Sequence, residues 1–203
     1  MQINTLAQQM TVLNANFALT GFSFVLRDVD YKVDARWANL QGADDELYIK
    51  SVLRRGSYRD LNLYYFASTW KGNTGWCYYP AANARGGLIT KALLADGCTI
   101  HSGTLPGGSF APWNEGKITS HEVGHWLGLM HTFENGCGDG DLVDDTPAQA
   151  EATSGCPIGR DSCFQPGLDP IHNFMDYSDN SCQYEFTPGQ TARMQSVWDY
   201  YRA

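Results

Sequence analysis

The 203-residue chain has no apolar run near the roughly 18 residues that a membrane helix needs. It has no Cys-x-x-Cys pair, so a thiolate zinc finger or a thioredoxin-type redox site is disfavoured. Basic residues are scarce, 14 Lys and Arg against 22 Asp and Glu, which leaves a net charge of −8. That balance excludes a phosphate-tracking surface, because nucleic acid requires clustered Lys and Arg. Charged residues are only 18% and hydrophobic ones 43%, so neither a disordered tail nor a coiled coil fits. There is no internal repeat and no Asn-x-Ser/Thr sequon. No charged-then-apolar leader precedes the first amphipathic segment, and a signal peptide is therefore expected to be absent from this chain. The composition is that of an acidic, Gly-rich globular protein, long enough to bury a sizeable core.

Six cysteines are present: Cys77, Cys98, Cys137, Cys156, Cys163 and Cys182. An even, dispersed set is either a group of reduced core thiols or three disulfides in a secreted protein. Gly138, Gly140, Pro147, Gly155, Pro157, Gly159, Pro166, Gly167 and Pro170 all fall between Cys137 and Cys182. A segment so poor in regular structure needs covalent ties or metal to hold one shape, which favours secretion to the extracellular space.

Leu6, Met10, Leu13 and Phe17 form one stripe of an amphipathic helix over 5–19. Phe22, Phe24 and Leu26 alternate as a strand would, and 44–54 reads as a helix with Leu47 and Leu53 inward. Residues 61–66 read as a well-buried strand, with weaker strands over 75–79 and 98–102. A helix is expected over about 120–127, and a last one opens at Thr187, with Pro188 at its first turn and Gln190 completing a capping box. Strands and a helix, then irregular chain, then a helix suggest an α+β fold. The expectation is a single domain over 1–203, in an N-terminal lobe 1–131 and a C-terminal lobe 132–203.

Three of the five histidines fall within eleven residues, in His121-Glu122-Val123-Gly124-His125-Trp126-Leu127-Gly128-Leu129-Met130-His131. This fits HExxHxxGxxH. His121 and His125 lie one helical turn apart, so both imidazoles project from one face and can hold one Zn²⁺. Glu122 is rotated about 100° round the helix, too far to ligate the same ion but near a water on it. Gly128 permits the helix to end and the chain to reverse, which brings in His131 from another direction. Three nitrogens and an open position are the catalytic rather than the structural zinc arrangement. Glu122 would then be the general base of an amide hydrolysis without a covalent intermediate. His101 and His172 read as ordinary packed histidines, and Trp126, Leu127, Leu129 and Met130 as core contacts.

The extended motif resembles the metzincin metalloproteases, and Asn173–Cys182 looks like their methionine turn. HEVGHWLGLMHTF, the DDTPAQ at 144–149, NFMDYSDNSC and FTPGQ at 186–190 together resemble the pappalysin family, especially its secreted fungal extracellular metalloproteases. The resemblance implies a metzincin, zincin-like α+β fold: a twisted mixed sheet with the active-site helix in the first lobe, and a loop-rich second lobe ending in a helix. It implies Met175 as a hydrophobic floor beneath the zinc ligands, and Tyr177 as a hydrogen-bond donor to the oxyanion or a residue that swings onto zinc. It implies the disulfides Cys77–Cys98, Cys137–Cys163 and Cys156–Cys182. It raises a calcium site after the third histidine, for which Asp141, Thr146 and Asp144 are the candidate ligands. By the same analogy 107–110 and the Ile118 region form the upper rim of the cleft. Relatives have a strand ahead of the first helix, where this chain has almost none of its length. Some relatives place an acid where Ser181 stands, so no preference for Arg or Lys substrates is carried over. The reading is a monomeric, secreted zinc endopeptidase acting on proteins or peptides, without nucleic acid or membrane partners. The alternative is a catalytically inactive zinc-binding module that recognises a protein partner, against which the intact Glu122 speaks.

Overall fold

A computed structural model describes residues 3–84 and 89–203. Its helices are α1 (Ile3–Asn16), α2 (Ala43–Leu53), α3 (Lys91–Ala95), α4 (Lys117–Trp126) and α5 (Pro188–Tyr201). Its strands β1 (Leu63–Phe66), β2 (Gly75–Cys77) and β3 (Cys98–His101) form a mixed sheet in the order β1-β3-β2. β3 runs parallel to β1, with Leu63 opposite Cys98, and antiparallel to β2, with Cys77 opposite Cys98. The Cys77–Cys98 disulfide joins that last pair, and Cys137–Cys163 and Cys156–Cys182 tie the irregular chain beyond α4. All three pairings are those the resemblance implied.

α4 runs through the middle of the molecule, and every residue from Ile118 to Trp126 is buried. Its inner side, Val123 and Trp126, packs with Leu13 from α1, Phe17 just beyond it, Ile100 from β3 and Met194 from α5 into one hydrophobic core. α5 begins as its sequence specifies. The Thr187 hydroxyl accepts from Gln190 N–H, and the Gln190 side chain accepts from Thr187 N–H, with Pro188 in the first turn.

Two expectations are corrected. The alternation at 22–26 does put Phe22 against Trp198 and Phe24 against Phe17. Residues 22–34 nevertheless form no strand. The backbone of Phe24 is bonded on both its N–H and its carbonyl by the Asn14 side-chain amide, which takes the place of a neighbouring strand. α2 forms where expected, but its fully inward residues are Glu46, Ile49 and Lys50, while Leu47 and Leu53 are half-buried. The Lys50 ammonium lies 2.8 Å from Glu46 and donates to the carbonyls of Ala95 and Gly97. Glu46 also accepts from Trp76, Tyr78 and Thr99. A buried ion pair persists when its remaining hydrogen-bonding capacity is met in this way.

Candidate metal centre

α4 ends in a turn that builds part of the site. Gly128 adopts φ +92°, its N–H bonds the His125 carbonyl, and Leu129 N–H reaches back to the Gly124 carbonyl. These are the two bonds of a Schellman motif, which glycine reaches without steric cost. The reversal presents the Leu129 carbonyl to His125 Nδ1 at 2.8 Å and carries His131 to the other histidines.

Each imidazole is fixed through its Nδ1. His121 Nδ1 is 2.7 Å from the Phe174 carbonyl, and His131 Nδ1 is 3.0 Å from a Glu134 carboxylate oxygen. Carbonyls and carboxylates only accept, so all three Nδ1 atoms carry the proton and all three Nε2 lone pairs are free. Those lone pairs converge: His125 Nε2 is 3.1 Å from both His121 Nε2 and His131 Nε2. Unprotonated nitrogens cannot hydrogen-bond one another. The spacing instead approaches the roughly 3.3 Å expected between nitrogens that share a tetrahedral zinc at 2.0–2.1 Å. The residues therefore fit Zn²⁺. Among the described residues this is the only group of three or more His, Cys, Asp or Glu arranged to share an ion.

Burial keeps the ligands neutral. It pushes His121 well below the usual imidazole range, takes His125 down to about 3 and lowers His131, where Glu134 opposes the shift. The same burial pushes the Glu122 carboxyl up to about 8. For the metal-free protein the signs are opposite. Below about pH 6.5 the unfolded chain binds protons at these histidines that the folded one refuses, so stability falls on acidification. Between about 6.5 and 8 the folded Glu122 holds a proton that the unfolded chain has lost, so stability falls as pH rises. Denaturant titrations of chelator-treated protein from pH 5 to 8 are expected to find maximal stability close to 6.5.

Glu122 is 3% exposed, and its Oε2 has no hydrogen-bond partner among the described residues. A Cβ on Gly75 would lie 3.0 Å from Glu122 Oε1, so the edge strand approaches the carboxylate closely only because residue 75 has no side chain. Met175 is fully buried, and a Cβ on Gly124 would meet its sulfur at 2.5 Å, which puts the thioether against the helix that bears His121 and His125. The turn around Met175 is held by Asn173, which accepts from Met175 N–H and donates to Gln190. The Tyr177 hydroxyl lies 3.2 Å from His131 Nε2, and burial raises its pKa.

Asp139, Asp141, Asp144 and Asp145 follow the third histidine in a short acidic stretch that includes two of the candidate calcium ligands. Asp141 is buried and accepts from Val143 N–H and the Gln190 amide, and burial raises its pKa. Thr146 is buried nearby in sequence, whereas Asp139, Asp144 and Asp145 are exposed, and Asp145 bonds Gly189 N–H at the start of α5. Asp141 and Asp145 thus bond different segments, these carboxylates form no group arranged to share an ion among the described residues, and calcium is not supported by this arrangement. Ile118 belongs to the hydrophobic core, and Phe110 N–H bonds the Gly103 carbonyl. Gly75 stands against Glu122 and Tyr79 against His125.

Several residues near the site had no role assigned from the sequence. Phe133 stacks on His131 at 4.9 Å, Glu134 orients it, and Tyr79 stands edge-on to His125 at 5.4 Å. Phe133 and Glu134 lie two and three residues past the third histidine, where proximity in sequence could have suggested them. Tyr79 is 46 positions from its histidine and left no such signal. Glu134→Ala is expected to weaken zinc binding about tenfold, the low end for a group orienting a metal ligand, because this carboxylate is partly solvated. Competition with a chromophoric chelator measures it.

Residues 109–199 match the peptidase M43 family model described as pregnancy-associated plasma protein-A. An extracellular metalloprotease of Pyricularia oryzae is 57% identical over 201 residues, covering 98% of this chain and 68% of that protein. One of Podospora anserina is 53% identical over 196 residues, covering 96% of this chain and 65% of its own length. The chain therefore spans about two thirds of these relatives. Mature mirolysin of Tannerella forsythia, solved in complex with a cleaved peptide, superposes with a TM-score of 0.73 at 23% identity over 98% of this chain and 85% of that one. With three histidines converging from a single helix and the turn after it, and with relatives this similar along nearly its whole length, the chain belongs to the pappalysin, or M43, family of metalloendopeptidases and has the metzincin fold.

Proposed function

We propose that this chain is a single catalytic domain that hydrolyses internal peptide bonds of proteins or peptides, with His121, His125 and His131 holding one zinc ion. The observation that carries the reading is the convergence of three unprotonated Nε2 atoms at the helix that bears Glu122, whose buried Oε2 has no partner among the described residues. Zinc, when bound, supplies a Lewis acid and lowers the pKa of a coordinated water to about 7. Glu122 would act as the general base, taking the proton of an attacking water at Oε2 and returning it to the departing amine. Tyr177 would donate a hydrogen bond from its hydroxyl to the oxyanion that develops on the substrate. Met175 sits beneath the ligand helix and resists its displacement.

The domain is read as two lobes, 1–131 and 132–203, the first bearing the helix of the site and the second the methionine turn. It works as a monomer. Three disulfides, relatives named extracellular, and the lack of any described helix long and apolar enough to cross a membrane support secretion.

Casein digestion by zinc-loaded protein tests this reading. Cleavage is expected, and a chelator that strips zinc is expected to abolish it within detection, with restoration by stoichiometric Zn²⁺. Cleavage unaffected by metal removal would overturn the mechanism. A zinc-loaded, folded protein that cuts neither casein nor a panel of unstructured peptides would favour the binding-module reading.

A further inference from the structure

The strand at the sheet edge has two faces with different duties. Trp76 and Tyr78 both donate to Glu46, the buried carboxylate paired with Lys50, so these two positions are pinned from one side. Successive strand residues point to opposite faces, and the intervening positions turn the other way. Gly75 meets Glu122, Cys77 is tied to Cys98, and Tyr79, two residues further on, meets His125. The chain that brings Tyr79 to the metal centre is thus held by a buried ion pair and a disulfide.

Tyr79 differs from Tyr177 in what it touches. The Tyr177 ring lies against His131 and His121, whereas Tyr79 contacts His125. The Tyr79 hydroxyl oxygen is 3.2 Å from His125 Nδ1, but that nitrogen already gives its proton to the Leu129 carbonyl at 2.8 Å. An N–H cannot accept, so His125 offers the tyrosine proton nothing. At best the phenol oxygen shares the imidazole proton, and its own O–H must donate elsewhere. Tyr79 is 48% exposed, so its ring is packed on one side and open on the other. A phenol so placed, beside the metal centre with a proton that no described acceptor takes, suits an acceptor on a bound peptide. The peptide acceptor in regular supply, whatever the side chains, is the backbone carbonyl.

We propose that Tyr79 is a substrate-positioning residue whose hydroxyl hydrogen-bonds a backbone carbonyl of the peptide in the cleft. The proposal rests on the proteolytic reading given above. It assigns Tyr79 a share in ground-state binding, distinct from the role of Tyr177 in stabilising developing charge.

Tyr79→Phe keeps the ring and removes only the hydroxyl. With zinc-loaded protein and a fluorogenic peptide, KM is expected to rise about five- to tenfold, the effect of one lost hydrogen bond, with kcat within about twofold. Zinc affinity, measured by chelator competition, is expected to be unchanged. The same peptide should bind about five- to tenfold more weakly to Tyr79→Phe/Glu122→Gln than to Glu122→Gln alone by calorimetry, a comparison that needs no turnover. An unchanged KM and peptide affinity overturn the proposal. So does a loss of zinc affinity that accounts for the whole effect, since Tyr79 would then only brace His125. A wild type that cleaves nothing when zinc-loaded overturns the proteolytic reading, and this inference with it.

Discussion

Glu122→Gln is expected to lower kcat about a thousandfold or more, with zinc content and fold retained. The substitution is isosteric and fits the space beside Gly75, so packing is not its variable. What changes is proton affinity. An amide oxygen cannot take a proton from water near neutrality, and positioned general bases contribute typically 10²–10⁴-fold to rate. The buried location sharpens the expectation. Oε2 has no partner among the described residues, so the carboxylate is held where desolvation makes it a stronger base than a free glutamate. That arrangement disfavours folding of the metal-free protein, because burial makes the carboxyl take up a proton well above its ordinary pKa. The Gln variant should therefore melt no lower than the wild type once metal is removed. A structural role would move both readouts downward together. The informative result is their divergence: turnover collapses while thermal unfolding, followed by circular dichroism, is level or improved. Retention of a tenth or more of wild-type kcat would remove Glu122 from the proposed role.

The histidine cluster was legible because its chemistry is periodic. One helical turn separates His121 from His125, and the glycine at 128 announces the reversal that delivers His131. Local signals also placed α5, where Thr187, Pro188 and Gln190 satisfy the backbone groups of the first turn. The strands at 63–66, 75–77 and 98–101 lie within the segments that the apolar patterning marked. What failed to read was long-range. Nothing near Glu46 and Lys50 says that this pair faces inward, since the reason is supplied by Trp76, Tyr78, Thr99 and two carbonyls from distant segments. The strand expected at 22–26 failed in the same way. Alternation orients side chains correctly, but a strand also requires a backbone partner, and there the partner is the amide of Asn14. The calcium site raised by family likeness finds no support, because nearness of carboxylates in sequence does not make them converge in space. Met175 and Tyr177 were reached through family likeness alone, as an unpatterned methionine and tyrosine carry no spacing to read.

The largest stability effect is expected at Arg202, far from any motif. Its guanidinium is 2% exposed and lies over the Trp126 ring at 3.7 Å and the Tyr58 ring at 4.2 Å. It donates to the Tyr58 carbonyl, to Asp96 and to the carbonyl of Trp126, the last residue of α4. Asp96 in turn accepts from Trp126 Nε1 and pairs with Arg54. One side chain just past α5 therefore closes the end of the metal-bearing helix against α2 and the segment before β3. Truncation would leave two carbonyls without this donor and Asp96 with one cation fewer. Removing one member of a buried ion pair typically costs about 3–5 kcal/mol, because the stranded charge stays desolvated. Arg202→Ala is expected to fall in that range by urea unfolding. Arg202→Lys should recover only part of it, since an ammonium cannot reach three acceptors while lying flat on an indole. The double variant Arg202→Met/Asp96→Asn separates the causes. If the stranded charge dominates, the pair of substitutions costs less than Arg202→Ala alone, whereas lost packing on Trp126 would make the penalties add. Zinc affinity measured on the folded fraction should change little, because the three Nδ1 contacts that orient the ligands lie at Phe174, Leu129 and Glu134 and none involves Arg202.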